Sequence, residues 1–123
     1  GEEDFFEPLK PYNKNIIDLV GKITISQMVS VVEKSKALIV TDTGTAHIAS
    51  AVNTTVFCLI GPTPHEQTGP YKTPFNEVYI ISAGLSCSPC YKTDVMKACK
   101  DNICMKNIKP LNVFDLLNQA KIL

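Results

Sequence analysis

The 123-residue chain has no tryptophan, two histidines and an aromatic content of only 7%. Its core must therefore rest on aliphatic and small side chains rather than on many packed rings. Neither sign of charge is in excess, since twelve Lys and Arg balance twelve Asp and Glu. That balance argues against nucleic acid, a polyanion or an anionic membrane as the main partner. No apolar run approaches the roughly 20 residues that a bilayer-spanning helix needs. There is no internal repeat, no low-complexity tract, no G-x-G-x-x-G, no P-loop and no Asp-x-Asp. The start, Gly1-Glu2-Glu3-Asp4, carries neither an initiator Met nor a signal peptide. A piece of a longer polypeptide, or a processed chain, is the expectation.

What is present is the composition of a globular domain, 45% hydrophobic and 20% charged. The length suits one domain with a real core. We read residues 1–123 as a single, truncated domain with a Cys-rich excursion at about 82–109.

Three short runs read as strands: Ala37 to Val40, Thr55 to Ile60 and Glu77 to Ile81. Each is continuously apolar or β-branched rather than alternating, the pattern of parallel strands covered on both faces. Helical patterns lie around them. Ser26 is placed to cap a helix from Gln27 to Lys34, with Met28, Val29, Val31 and Val32 as its buried stripe. Thr45 to Val52 forms a short helix of small residues. Pro110 opens a last helix in which Val113, Leu116, Leu117 and Ala120 recur at helical spacing. Glu2 to Leu9 reads as another short helix. The order predicts an α/β fold built on a parallel sheet.

The most informative stretch is "IVTDTGTAHIASA", Ile39 to Ala51. A strand stops at Asp42-Thr43-Gly44 and a helix follows, so the loop sits at the carboxyl end of a parallel strand. Ligands of open α/β sheets bind there. Gly44 permits close backbone approach and φ > 0. Thr43 and Thr45 offer hydroxyls, and either can cap the helix. Free N–H groups in the first turn form a ready phosphate site. His47 leans back toward the loop, because helical side chains tilt toward the N-terminus. Thr43, four residues earlier, should lie beside it. The alternative is plain: Asp42 and Thr43 cap a helix, and His47 is a half-buried polar residue.

Five cysteines are many for this length. Cys58, inside "TVFCLI", reads as a buried small hydrophobe. Cys87, Cys90, Cys99 and Cys104 cluster in sequence. Their spacing suits a tetrathiolate zinc site, two disulfides or free thiols.

"VTDTGTAHIASAVNTTVFCLIGPTPHEQTGPY" resembles the bacterial heptosyltransferases of lipopolysaccharide biosynthesis, the ADP-heptose-using glycosyltransferases of family 9. The pattern is matched by Asp42-Thr43-Gly44, His47, Ala49 to Ala51 and Gly61-Pro62-Thr63. "LSCSPCYK", with Cys99 and Cys104-Met-Lys-Asn-Ile, is similar to heptosyltransferase II-like members. Together these motifs cover most of Ile39 to Ile108. The resemblance implies a GT-B enzyme with two Rossmann-like domains, this chain being part of the C-terminal, nucleotide-sugar-binding one. The acceptor site and the catalytic base would then belong to an N-terminal domain, and no catalytic residue is assigned here.

The resemblance also implies donor-binding roles for Asp42, Thr43, Gly44, Thr45 and His47, with Glu3, Gly61, Pro62 and Thr63 as further candidates. The Thr43-Gly44 backbone would hold the diphosphate, Asp42 would orient the loop or bond the sugar, and His47 would donate toward phosphate or sugar. Such enzymes use fixed N–H groups instead of Mg²⁺, so no cofactor is expected for the chemistry. His65 stands where an acidic residue is expected, and a surface or loop-packing role is preferred for it. The implied partners are ADP-heptose or a related nucleotide sugar and a lipopolysaccharide core acceptor. The implied location is the cytoplasm, with at most peripheral membrane association. Disulfides are rare there, which leaves a structural zinc or reduced thiols for the clustered cysteines. Tyr91, Lys92 and Lys97 could reach a phosphorylated acceptor, although a solvated face is preferred for them. Another donor sugar, or a nucleotide-binding or zinc-stapled module without activity, are the rival readings.

Overall fold

The computed structural model describes residues 3–123, apart from the side chains of residues 3–6, 10 and 13. Glu2 and the side chain of Glu3 therefore lie outside the described residues. In chain order a 3-10 segment, Glu3–Asn15, precedes α1 (Ile25–Glu33), β1 (Ala37–Thr41), α2 (Gly44–Ala51) and β2 (Thr55–Ile60). Then come α3 (His65–Thr68), β3 (Val78–Ser82), α4 (Asp94–Ala98), α5 (Ile103–Lys106) and α6 (Pro110–Gln119). The expected α/β class holds: β1, β2 and β3 form a parallel sheet in that order. In register, Phe57 lies between Ile39 and Tyr79.

Both faces of β2 are covered, which accounts for its continuous apolar run. Val56, Cys58 and Ile60 point to one side and pack with Val32, Ala46 and Ala49 from α1 and α2. Phe57 points to the other side and packs with Ile81 and Leu117, the latter from α6. Ala46, Ala49 and Ser50 are fully buried. Their i, i+3, i+4 spacing turns a small-residue face to the sheet and lets α2 sit close. Phe57 stacks on Tyr79, with ring centroids 4.6 Å apart and planes 9° from parallel.

Local chemistry corrected several boundaries. The cap of α1 is Thr24, not Ser26. Gln27 N–H donates to Thr24 Oγ1 at 3.3 Å, and Thr24 N–H donates to Gln27 Oε1 at 2.8 Å. This capping box satisfies two orphan donors reciprocally, which a Ser26 cap could not. Val31 belongs outside the buried stripe, being 42% exposed. At 100° per residue, Met28 and Val32 share the core face and Val31 turns away. The leading segment is 3-10 rather than α-helical and contains Pro8 and Pro11. Each proline lacks the N–H that an α-helix would use. The short helices α3, α4 and α5 were not expected.

The sheet's amino end is closed by a buried polar knot. Thr54 Oγ1 donates to the Val32 carbonyl at 2.8 Å, and Asn76 Nδ2 donates to the Thr54 carbonyl at 3.3 Å. The carboxyl end remains open, and the loops after β1 and β2 meet there. Among the described residues no helix is long and apolar enough to cross a membrane.

Candidate donor site

Thr43 is the N-cap residue of α2, with extended φ −141° and ψ 170°, but its hydroxyl makes no capping bond. The Ala46 N–H donates to the Thr43 carbonyl at 3.0 Å, so the N–H groups of Gly44 and Thr45 are the ones left for whatever occupies the space ahead of the helix. That space is a cleft of about 350 Å³ lined by Asp42, Thr43, Gly44 and His47. Thr63, Thr68 and Tyr91 complete the lining. His47 is exposed in the first turn. Thr43 and His47 thus border the same cleft, as their spacing suggested.

Of the two uses expected of the turn glycine, close approach and a positive φ, the second is not taken up. Gly44 does not have a positive φ, and a Cβ built on it meets nothing within 4 Å. Neither turn geometry nor packing within the chain requires glycine there. What a side chain would fill is open cleft.

Asp42 is half-buried, and its carboxylate accepts a hydrogen bond from Thr68 Oγ1 at 3.3 Å. Burial pushes the Cys58 thiol up to about 11, and the Asp42 carboxylate pushes it the same way. Cys58 is therefore a buried, protonated hydrophobe.

Thr45 is not a cleft residue by its side chain. Its hydroxyl lies 4.0 Å from Met28 Sδ, toward α1. The Gly61-Pro62-Thr63 loop divides its work. Gly61 is buried, and a Cβ there would come within 2.8 Å of Met105 Sδ. Its carbonyl accepts a hydrogen bond from Ser88 Oγ at 2.6 Å. The Pro62 carbonyl accepts from the N–H groups of Cys90 and Tyr91, both at 2.9 Å. Gly61 and Pro62 thus anchor the Cys-rich excursion. Thr63 lines the cleft, and its buried Oγ1 has no hydrogen-bond partner. His65 is exposed and opens α3, bordering a small cavity of about 80 Å³ behind Thr63.

The four clustered cysteines are all free: Cys90 and Cys104 are buried, Cys87 and Cys99 exposed. Burial pushes the Cys90 thiol up, and nearby Cys87, Cys104 and Cys99 push it further, so the four share one neighbourhood. Two thiols have polar partners. Cys99 Sγ donates to the Asp101 carbonyl at 3.2 Å and Cys104 Sγ to Asn102 Oδ1 at 3.0 Å. Among the described residues no three His, Cys, Asp or Glu side chains are grouped so as to hold a metal ion.

Sequence reasoning missed Thr68 as a cleft residue, and it preferred a solvated face for Tyr91, which the structure places in the cleft lining. Thr68 lies on a helix too short to leave a periodic signal. Tyr91 sits in a weakly patterned loop and is brought in by the Pro62 carbonyl, a contact with no sequence signature.

A family model described as glycosyltransferase family 9 (heptosyltransferase) matches residues 2–100. Over 69 residues the chain is 30% identical to lipooligosaccharide heptosyltransferase 2 of Haemophilus influenzae strain Rd. That alignment takes in 56% of this chain and 20% of the relative, so the matched part is about one fifth of the relative's length. No solved structure matches.

Proposed function

Because the chain belongs to glycosyltransferase family 9, we propose that its cleft binds the nucleotide-sugar donor in an inverting transfer of heptose from ADP-heptose to the lipopolysaccharide inner core. The observation that carries this reading is the uncapped start of α2 facing a cleft at the strand tips, with Thr43 and His47 on its rim. In the proposed step an acceptor hydroxyl forms a bond to the anomeric carbon while the bond to the diphosphate breaks. The electron pair leaves on the diphosphate, and the hydroxyl proton passes to a carboxylate base outside this chain. Negative charge therefore grows on the phosphate oxygens. N–H dipoles already aimed at that position stabilise it without rearrangement, at about 3 kcal/mol for a well-placed donor.

Thr43 and His47 would add side-chain donors to the same oxygens. Thr45 contributes through its backbone, since its hydroxyl turns to Met28. Similarity to the Haemophilus lipooligosaccharide heptosyltransferase 2 supports a heptosyl donor and a lipooligosaccharide-type acceptor. Five free thiols fit a reducing compartment, so we place the reaction in the cytoplasm, at the inner face of the membrane that carries the acceptor. Residues 1–123 would form part of the donor domain, and the acceptor would bind elsewhere.

Calorimetric titration of ADP into wild type, Thr43→Val and His47→Ala tests the assignment. Each variant is expected to bind ADP about 10- to 150-fold more weakly, the loss of one hydrogen bond to a charged group. Equal affinities for all three would remove both side chains from the donor site.

A further inference from the structure

The cleft has two walls of different origin. The first is the turn after β1, with α2 behind it. The second includes Tyr91, from the Cys-rich excursion. The backbone that carries this ring is held in place. The N–H groups of Tyr91 and Cys90 both donate to the Pro62 carbonyl at 2.9 Å, and Ser88 Oγ ties the same loop to the Gly61 carbonyl at 2.6 Å. Immediately after it, Lys92 has φ 61°, a left-handed conformation that a non-glycine residue takes seldom. Its ammonium lies 5.2 Å from the centroid of the Tyr91 ring. Even so, the tyrosine is 43% exposed.

The chemistry of this wall separates it from the phosphate cradle. The face of an aromatic ring carries negative charge density, which the Lys92 ammonium near the ring offsets, so the ring offers apolar contact rather than charge. The Asp42 carboxylate, with Thr68 bonded to it, lines the same cleft and repels phosphate. A carboxylate, a hydroxyl and an aromatic face together suit a neutral group that presents several hydroxyls and a C–H surface. The transferred sugar is such a group.

We propose that Tyr91 packs on the donor's sugar ring and helps decide which sugar the site accepts. This rests on the donor-site reading above and extends it to sugar selection. The excursion is then part of the specificity apparatus, attached through Gly61 and Pro62.

The test uses the intact protein and two probes, ADP and ADP-heptose, with wild type, Tyr91→Ala, Tyr91→Phe and His47→Ala. Tyr91→Ala should weaken ADP-heptose about tenfold, in both Kd and KM, while the Kd for ADP stays within twofold of wild type. Tyr91→Phe, which keeps the ring, should recover most of the loss. His47→Ala should weaken both probes. Matching melting temperatures for wild type and the Tyr91 variants exclude a folding effect. Equal loss of both probes in Tyr91→Ala would assign the ring to the nucleotide and overturn the proposal, as would no loss of either. Should His47→Ala leave both affinities at wild-type values, the donor-site reading fails instead, and the sugar assignment falls with it.

Discussion

The Thr68 hydroxyl donates to the Asp42 carboxylate at 3.3 Å, joining α3 to the turn after β1 across the candidate cleft. The same hydroxyl lies 3.3 Å from the Pro64 carbonyl, within its own short helix. Thr68 is thus a positioning residue: it restrains the Asp42 side chain.

Thr68→Val should leave the fold intact, because the residue is exposed. It should lower kcat/KM for donor transfer about 3- to 10-fold, the equivalent of one modest hydrogen bond. Asp42→Asn, which removes the charge itself, should cost more. A Thr68→Val enzyme that keeps wild-type kcat/KM would show that Asp42 needs no such restraint.

The capping box of α1 separates two candidate caps. Thr24→Ala should destabilise the protein by about 0.5–2 kcal/mol, whereas Ser26→Ala should change little. Denaturant melts of the two variants decide between them. The reverse ranking would return the cap to Ser26.

Phe57 and Ser50 predict opposite signs at two fully buried sites. Phe57→Ala removes the ring stacked on Tyr79 and leaves a cavity, so it should cost about 3–5 kcal/mol. Ser50 Oγ is buried without a hydrogen-bond partner. Ser50→Ala should therefore be neutral or stabilising by up to about 1 kcal/mol, since the group's desolvation cost disappears. Marked destabilisation by Ser50→Ala would mean that the hydroxyl is satisfied by a buried water.

Cys58 predicts an alkaline limit to stability. Its thiol is held up to about 11 by burial and then by Asp42, so the folded state keeps the proton longer than the unfolded chain. That stability is fully present below the unfolded value near ~8.5 and is lost as pH rises toward 11. Melting temperature should fall across this window in wild type and fall less in Cys58→Ala. Alkylation at pH 8 followed by mass spectrometry should label the exposed Cys87 and Cys99 first. Label on Cys58 in the native protein would refute its burial.

Several features were legible in the letters because their causes are local. Continuous β-branched runs marked all three strands to within a residue at each end. The small residues after Gly44 announced a helix close against the sheet, and Ala46, Ala49 and Ser50 are indeed fully buried. The Asp42-Thr43-Gly44 turn and His47 could be placed at one rim because strand, turn and helix follow one another directly. Less was legible where two neighbouring residues compete for one role. Thr24 and Ser26 both suit a cap, and only the reciprocal bond with Gln27 separates them.

By itself the sequence determined the order of the three strands and of α1, α2 and α6 around them, and hence the open strand tips where a ligand can sit. Periodicity, turn chemistry and helix-end hydrogen bonding act over a few residues, so they can be read in one dimension. The tertiary structure alone decided that Thr68 holds Asp42, that Thr45 turns to Met28, and that Tyr91 swings in through the Pro62 carbonyl. Those contacts join residues 17 to 29 positions apart by packing and single backbone bonds, which leave no periodic trace in composition.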